Sequence, residues 1–282
     1  MKIGIIVAAL CSLVASPAAA ETILFVGNSF TFGANSPVMR YRPDAVTDLN
    51  REGIGGVPAL FKTFAEQAKL DWKVSLETAP GKDLAYHFEH KKRQIDRRWD
   101  VVILQGYSTL DPAKPGDPMR HAGAAAQLAA MVRRANHKVR VELVTTWSRA
   151  DLTYRLASPW RGQGYAAMAE TLATGNALAV RASSDIAGAI PVGQAWTRAM
   201  RERIADPNPY DGIAFGQVDL WTWDQYHASA AGYYLEALTI FGRVTGVDVR
   251  TLGRDERAGR DLGLEPQLVE RLQAVAQAEL TV

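Results

Sequence analysis

The chain has 282 residues, 48% of them hydrophobic and 22% charged, a globular composition with enough material for one sizeable core, which excludes disorder and collagen-like architecture. Lys+Arg 32 against Asp+Glu 30 leaves a formal charge of +2, and the longest basic run is residues 90–93 (HKKR), so charge offers no case for a nucleic-acid partner. Lys2, a largely apolar stretch over 3–15 and Ala18, Ala19 and Ala20 before Glu21 predict a secretory signal over 1–20, cleaved near Ala20, and an exported product, periplasmic or extracellular. That stretch is short for a bilayer span and no later one reaches about 18 apolar residues, so stable membrane insertion of the mature chain is not expected. The single cysteine, Cys11, lies in the signal segment, and the mature chain must then work with oxygen and nitrogen groups.

From residue 21 onward, short β-rich apolar runs alternate with longer segments of helical period. Strands are predicted over 22–26, 73–78, 101–105, 139–145 and 184–190, and helices over 57–68, 84–97, 118–136, 164–179, 192–204 and 230–245. The alternation implies one three-layer α/β/α domain over 21–246 with a mainly parallel five-stranded sheet. Two stretches interrupt the pattern, 33–56 and 204–226, and loops of that length inside a compact domain are often functional. Beyond residue 246, Leu268, Val269, Leu272, Val275, Ala276 and Leu280 recur at helical spacing, which predicts that the tail, 247–282, docks on the domain as an amphipathic helix.

Residues 27–31 (GNSFT) put Ser29 at the carboxyl end of the first strand, the edge where open parallel sheets hold their ligands. Ser29 is a candidate nucleophile; Asn and Ser after a strand also serve as turn and cap residues. Near the other end, residues 224–232 (DQYHASAAG) lead into the last predicted helix of the domain. A serine hydroxyl needs a neutral imidazole to take its proton, and the imidazole needs a carboxylate on its other nitrogen, so Asp224 and His227 on one loop supply both groups. Taken together, a strand-end serine and a late Asp-x-x-His are more informative than either alone.

These two blocks resemble the first and last blocks of the SGNH hydrolases, the GDSL-like lipases and esterases, with Asn28 where many members carry aspartate. The resemblance runs from about residue 23 to 246 in preserved order and implies a flavodoxin-like fold and ester hydrolysis through an acyl-enzyme without metal or organic cofactor. It further implies Ser29 as nucleophile, His227 as base and then acid, and Asp224 as its orienting carboxylate. The family's oxyanion hole uses the nucleophile's backbone N–H, a glycine after the second strand and an asparagine after the third. Gly81 in 78–84 (TAPGKDL) fits the glycine. The third block departs from the pattern: residues 100–109 (DVVILQGYST) carry no asparagine, and Gln105 is the substitute donor with Ser108 as second choice. The Gln-Gly pair resembles an arrangement in certain carbohydrate acetylesterases, and with export it points to a small acyl group on a carbohydrate or other small-molecule ester. Asn28, Trp221, Trp223 and Tyr226 are candidate substrate contacts, and Trp147 and Trp196 read as core.

Other readings of the same residues stay open. A lysophospholipase or thioesterase would use the same triad, and the imperfect third block also suits a glycan-binding or envelope-assembly protein without turnover. An α/β-hydrolase elbow would need G-x-S-x-G, and residue 31 is Thr. His87 and His90 lie three apart on a predicted helix but lack further partners for a metal site.

Overall fold

The computed structural model describes residues 20–281; the expected signal segment, Cys11 included, lies outside the described residues except for Ala20. Six strands, β1 (Glu21–Gly27), β2 (Thr47–Asp48), β3 (Trp72–Thr78), β4 (Val101–Leu104), β5 (Arg140–Val144) and β6 (Gly188–Ile190), form one parallel sheet in the order β2-β3-β1-β4-β5-β6. The α/β class is as the sequence implies, with one strand more. Ten helices accompany them: α1 (Ser29–Phe32), α2 (Gly56–Gln67), α3 (Leu84–His90), α4 (Lys92–Ile95), α5 (Met119–Ala135), α6 (Ala167–Ala182), α7 (Val192–Arg201), α8 (Ala230–Thr245), α9 (Arg257–Asp261) and α10 (Pro266–Leu280).

Strand alternation sends neighbouring side chains to opposite faces and so builds two cores. Ile23 and Phe25 of β1 with Val101 and Ile103 of β4 meet Phe61 and Phe64 of α2 and Phe241 of α8. Leu24 and Val26 with Val102 and Leu104 meet Leu84 of α3 and Leu128 and Val132 of α5. Edge-to-face rings at 5.6–5.7 Å tie Phe61 to Phe25, Trp72 and Phe241 on the first face. Helix α10 adds Val269, Leu272, Val275 and Ala276 to that same cluster, packed against α8 and α7.

Where element boundaries depart from the periodicity, local bonds explain the difference. The two-residue β2 has no apolar run to announce it; Asp48 Oδ atoms accept the N–H groups of Asn50, Glu52 and Ile54, which folds the chain into a turn after one short pairing with β3. The predicted helix 84–97 divides at Lys91, whose ammonium reaches Asn50 Oδ1 at 2.9 Å and Glu77 Oε1 at 3.5 Å. Strand β6 is shorter than expected because Ile186 N–H bonds back to Ser183 O in a turn. The 33–56 stretch is braced rather than loose: Arg40 donates to the carbonyls of Glu52 and Gly53, and Arg42 pairs with Glu66 at 2.9 Å.

In the order β3-β1-β4-β5-β6 the chain reverses direction across the sheet between β1 and β4, and the crevice at the carboxyl ends of those two strands is the place where such sheets bind ligands. Residues 28–29 follow β1 and residues 105–107 follow β4, so the topology brings the first and third sequence blocks to one edge.

Candidate active site

Ser29 is the first residue of α1, with Asn28 capping the helix by accepting the Phe30 N–H at 3.2 Å and Gly33 ending it in a left-handed conformation. The tight strand-to-helix turn depends on Gly27: a Cβ there would stand 2.1 Å from Thr31 Oγ1 and 2.7 Å from Gln105 Oε1, so any side chain would displace the helix start. Ser29 exposes 7% of its surface.

The 224–227 loop is organised around the Asp224 carboxylate. Its Oδ1 accepts from Thr222 Oγ1 at 2.9 Å and from the backbone N–H groups of Tyr226 at 3.0 Å and His227 at 2.9 Å. Its Oδ2 stands 2.6 Å from His227 Nδ1, the geometry of an imidazole N–H donating to a carboxylate, and 2.7 Å from the Asn35 amide nitrogen. Burial alone would raise this acid, but the hydrogen bonds from the His227 ring, the His227 and Tyr226 N–H groups and Thr222 outweigh it and hold the carboxyl down at about 2. His227 Nε2 is buried and has no hydrogen-bond partner among the described residues. Phe30, next to Ser29, meets the His227 ring edge-on at 5.7 Å, so the helix that Ser29 begins packs directly against the imidazole.

Gly81 lies in the turn after β3, with φ +66 and open space where a Cβ would be. That turn is tied to β1 and the residue after it: Ala79 N–H donates to Gly27 O at 3.0 Å, and the Asn28 amide donates to Lys82 O at 2.9 Å. Beside Gly81 opens a cleft walled by Lys82, Asp83, Tyr86, Tyr107 and Arg120, in which Arg120 and Asp83 pair at 2.6 Å.

Three candidate residues, Gln105, Asn28 and Trp221, are engaged within the protein itself. The Gln105 carboxamide is buried and engaged in holding the Ser29 turn: its Oε1 accepts the Asn28 N–H and the Thr31 hydroxyl, both at 3.0 Å, and its Nε2 donates to Gly106 O. Both ends of the expected oxyanion donor are thus hydrogen-bonded within the turn. Asn28 is buried with its amide donating to Lys82 O and Gly106 O, so it braces the turn from within. Trp221 is 2% exposed, donates to Ser148 O and packs on Trp196, so it is core. Trp223 is 81% exposed at the surface, and Tyr226 lies between Arg149, whose guanidinium covers its ring at 3.6 Å, and His227 at 4.2 Å. Trp147 and Trp196 stack at 4.5 Å beneath Phe30, as core residues. Ser108 is buried and accepts from Arg149 at 3.3 Å.

Asn35 and Arg149 join the site without having stood out in the sequence. The left-handed turn after Gly33 is the only signal that could have singled out Asn35, since Asn tolerates positive φ better than other side chains; nothing in sequence announces the Arg149–Tyr226 stack. His87 and His90 do not converge: His87 is buried against Glu77 and His90 is exposed. Among the described residues no group of three His, Cys, Asp or Glu side chains gathers as a metal site, and no helix is long and apolar enough to cross a membrane.

No protein-family model matches the chain, and no curated protein matches it in sequence. Its structure aligns with that of a DUF4886 family protein from Bacteroides uniformis at 16% identity, covering 93% of this chain and 95% of that one, with a TM-score of 0.65. It also aligns with a GDSL-like lipase from Parabacteroides merdae at 16% identity, covering 80% of this chain and 95% of the other, with a TM-score of 0.55. At these identities the likeness shows the fold alone, an open parallel α/β sheet shared with these two proteins.

Proposed function

We propose that the chain is an exported ester hydrolase in which Ser29, His227 and Asp224 form a catalytic triad. The observation that carries this reading is the 2.6 Å Asp224–His227 pair, with Nε2 unpartnered, on a loop packed against the helix that Ser29 begins. Ser29 Oγ attacks the ester carbonyl carbon while His227 Nε2 takes the hydroxyl proton, and Asp224 stabilises the imidazolium. Collapse of the tetrahedral intermediate breaks the ester C–O bond, and the proton on Nε2 passes to the departing alkoxide. Water then attacks the acyl-serine with the same imidazole as base, releasing the carboxylic acid and restoring Ser29. The backbone N–H groups of Ser29 and Gly81 are the donors we assign to the developing oxyanion. The hydrolase unit spans 21–246, with 247–282 as its docked tail.

The slight exposure of Ser29 suits a short acyl group. The cleft beside Gly81 offers two tyrosine rings and the Arg120–Asp83 and Lys82 charges, the mixture of ring faces and hydrogen-bonding groups that suits a carbohydrate. An O-acylated sugar is accordingly the substrate class we propose.

The test is covalent labelling of the purified mature protein with a fluorophosphonate and with a smaller organophosphate, the modified peptide being identified by mass spectrometry. Labelling at Ser29 that disappears in Ser29→Ala is the expected result. A protein that neither probe labels, and that hydrolyses no acetyl ester, would overturn the reading in favour of a binding role on the same scaffold. A preference for acyl chains longer than about eight carbons would overturn the substrate class and leave the triad.

A further inference from the structure

We propose that Asn35 is a positioning residue of this site, its side-chain amide pinning Asp224 and so holding the acid–imidazole pair against the segment that carries Ser29. The inference rests on the hydrolase reading, since positioning presupposes that His227 serves Ser29.

Asn35 Nδ2 donates to Asp224 Oδ2 at 2.7 Å and lies 3.4 Å from His227 Nδ1, so it meets the pair at the bond that joins its two members. A carboxylate oxygen only accepts, so the amide must present its N–H groups there. Every other donor to Asp224 among the described residues belongs to the loop itself: Thr222, Tyr226 and His227. The loop's backbone is held by Trp147 Nε1 on Tyr226 O and Asp151 N–H on Gln225 O, and Asn35 is the hydrogen bond that ties its carboxylate to a segment 189 residues away in sequence.

Asn35 is exposed, but the turn that carries it is anchored to the Ser29 backbone. Gly33 and Asn35 both take left-handed conformations, with φ +80 and +60, and the Ala34 N–H between them donates to Ser29 O at 3.0 Å. The phenol of Tyr233, on α8, lies 3.2 Å from Ser29 O and 3.3 Å from Ala34 O, so one buried group holds the backbones of the serine and of the turn. Any drift of the 224–227 loop away from Ser29 must therefore break the amide–carboxylate bond. A neutral donor fits this position, because a lysine or arginine there would compensate the carboxylate charge that the imidazolium needs.

The test separates this role from a purely conformational one, because glycine and aspartate also accept a left-handed backbone. Asn35→Gly removes the donor, and Asn35→Asp keeps the side-chain volume but sets a second carboxylate against Asp224. With p-nitrophenyl acetate as probe, Asn35→Gly is expected to lower kcat roughly 10- to 100-fold at unchanged KM, with Asn35→Asp lower still and both retaining the wild-type Tm within a few degrees. The low-field proton NMR signal of the His227 Nδ1–H, assigned by its absence in His227→Gln, should shift or vanish by exchange in both variants.

A signal at its wild-type position in Asn35→Gly, or a raised KM at wild-type kcat, overturns the proposal. Failure of the hydrolase reading shows differently: the wild type itself would not turn over the ester, while the signal in the wild type and in Asn35→Gly would still decide whether the amide holds the pair.

Discussion

Two short carboxylate–imidazole pairs stand among the described residues, alike in the bond and unlike in where they lie. Glu77 Oε2 and His87 Nδ1 meet at 2.5 Å with both side chains fully buried, between β3 and α3. Asp224 and His227 meet at 2.6 Å with 18% and 13% of their side chains exposed, at the carboxyl edge of the sheet. In both pairs Nε2 has no partner among the described residues. What sets the second apart is its surroundings: the helix that Ser29 begins packs on its imidazole through Phe30, whereas the first has Lys91 and Asn50 closing over its other carboxylate oxygen. A short acid–imidazole bond is thus a structural device until topology gives it access to a substrate.

The comparison breaks most sharply on the two histidines. His227→Ala should reduce p-nitrophenyl acetate hydrolysis by about four orders of magnitude or more, as loss of a triad base does, with little change in the denaturation midpoint. His87→Ala should do the reverse: a stability loss of about 3 kcal/mol in urea unfolding, because it leaves a buried carboxylate without its donor and opens a cavity, and a kcat within a few-fold of wild type in the folded fraction. The opposite pattern would place the chemistry at the buried pair.

His121 sharpens the contrast as a third imidazole, buried with Asn176 Oδ1 as its partner at 3.1 Å. Burial lowers its pKa from 6.5 to about 4, so the unfolded chain binds this proton more readily than the native one. Its contribution is fully present above pH 6.5 and is lost as pH falls through about 4, a loss of about 3 kcal/mol that His121→Gln should remove from the pH profile of unfolding. Asp224 has the sign of a depressed acid: its contribution persists above the unfolded value of 3.8 and fades as pH falls through about 2, so Asp224→Asn should flatten stability in that lower window alone. Smallest of all, Trp223→Ala should change stability by less than about 0.5 kcal/mol, being exposed, and any effect on a sugar ester should fall on KM.

Much of the architecture was legible because it follows from periodicity. Short β-rich apolar runs announced β1 and β3 to β5, and α8 begins and ends where its cap residues, Ser229 and Gly246, say it should. The two-residue β2 was not legible, because one short pairing with a turn held by Asp48 leaves no periodic trace. For the site, the Asp-x-x-His spacing was enough to anticipate a bonded pair, since three residues on a tight turn fix the reach of both side chains. It was not enough to sort the aromatics: Trp221 and Trp223 are two apart in one irregular loop, yet one lies in the core and the other in solvent. Nor could it assign Gln105, whose carboxamide is used within the turn because Gly27 leaves room for it there.

By itself, then, the sequence determined what local chemistry can determine: an alternating α/β layout, a serine at a strand end and an acid–imidazole pair before a late helix. Only the tertiary structure decided which groups meet across long stretches of chain. Asn35 with Asp224, Arg149 with Tyr226 and His87 with Glu77 are pairings set by strand order and helix packing, and side-chain reach of a few ångströms carries no record in a linear pattern until the sheet brings the segments together.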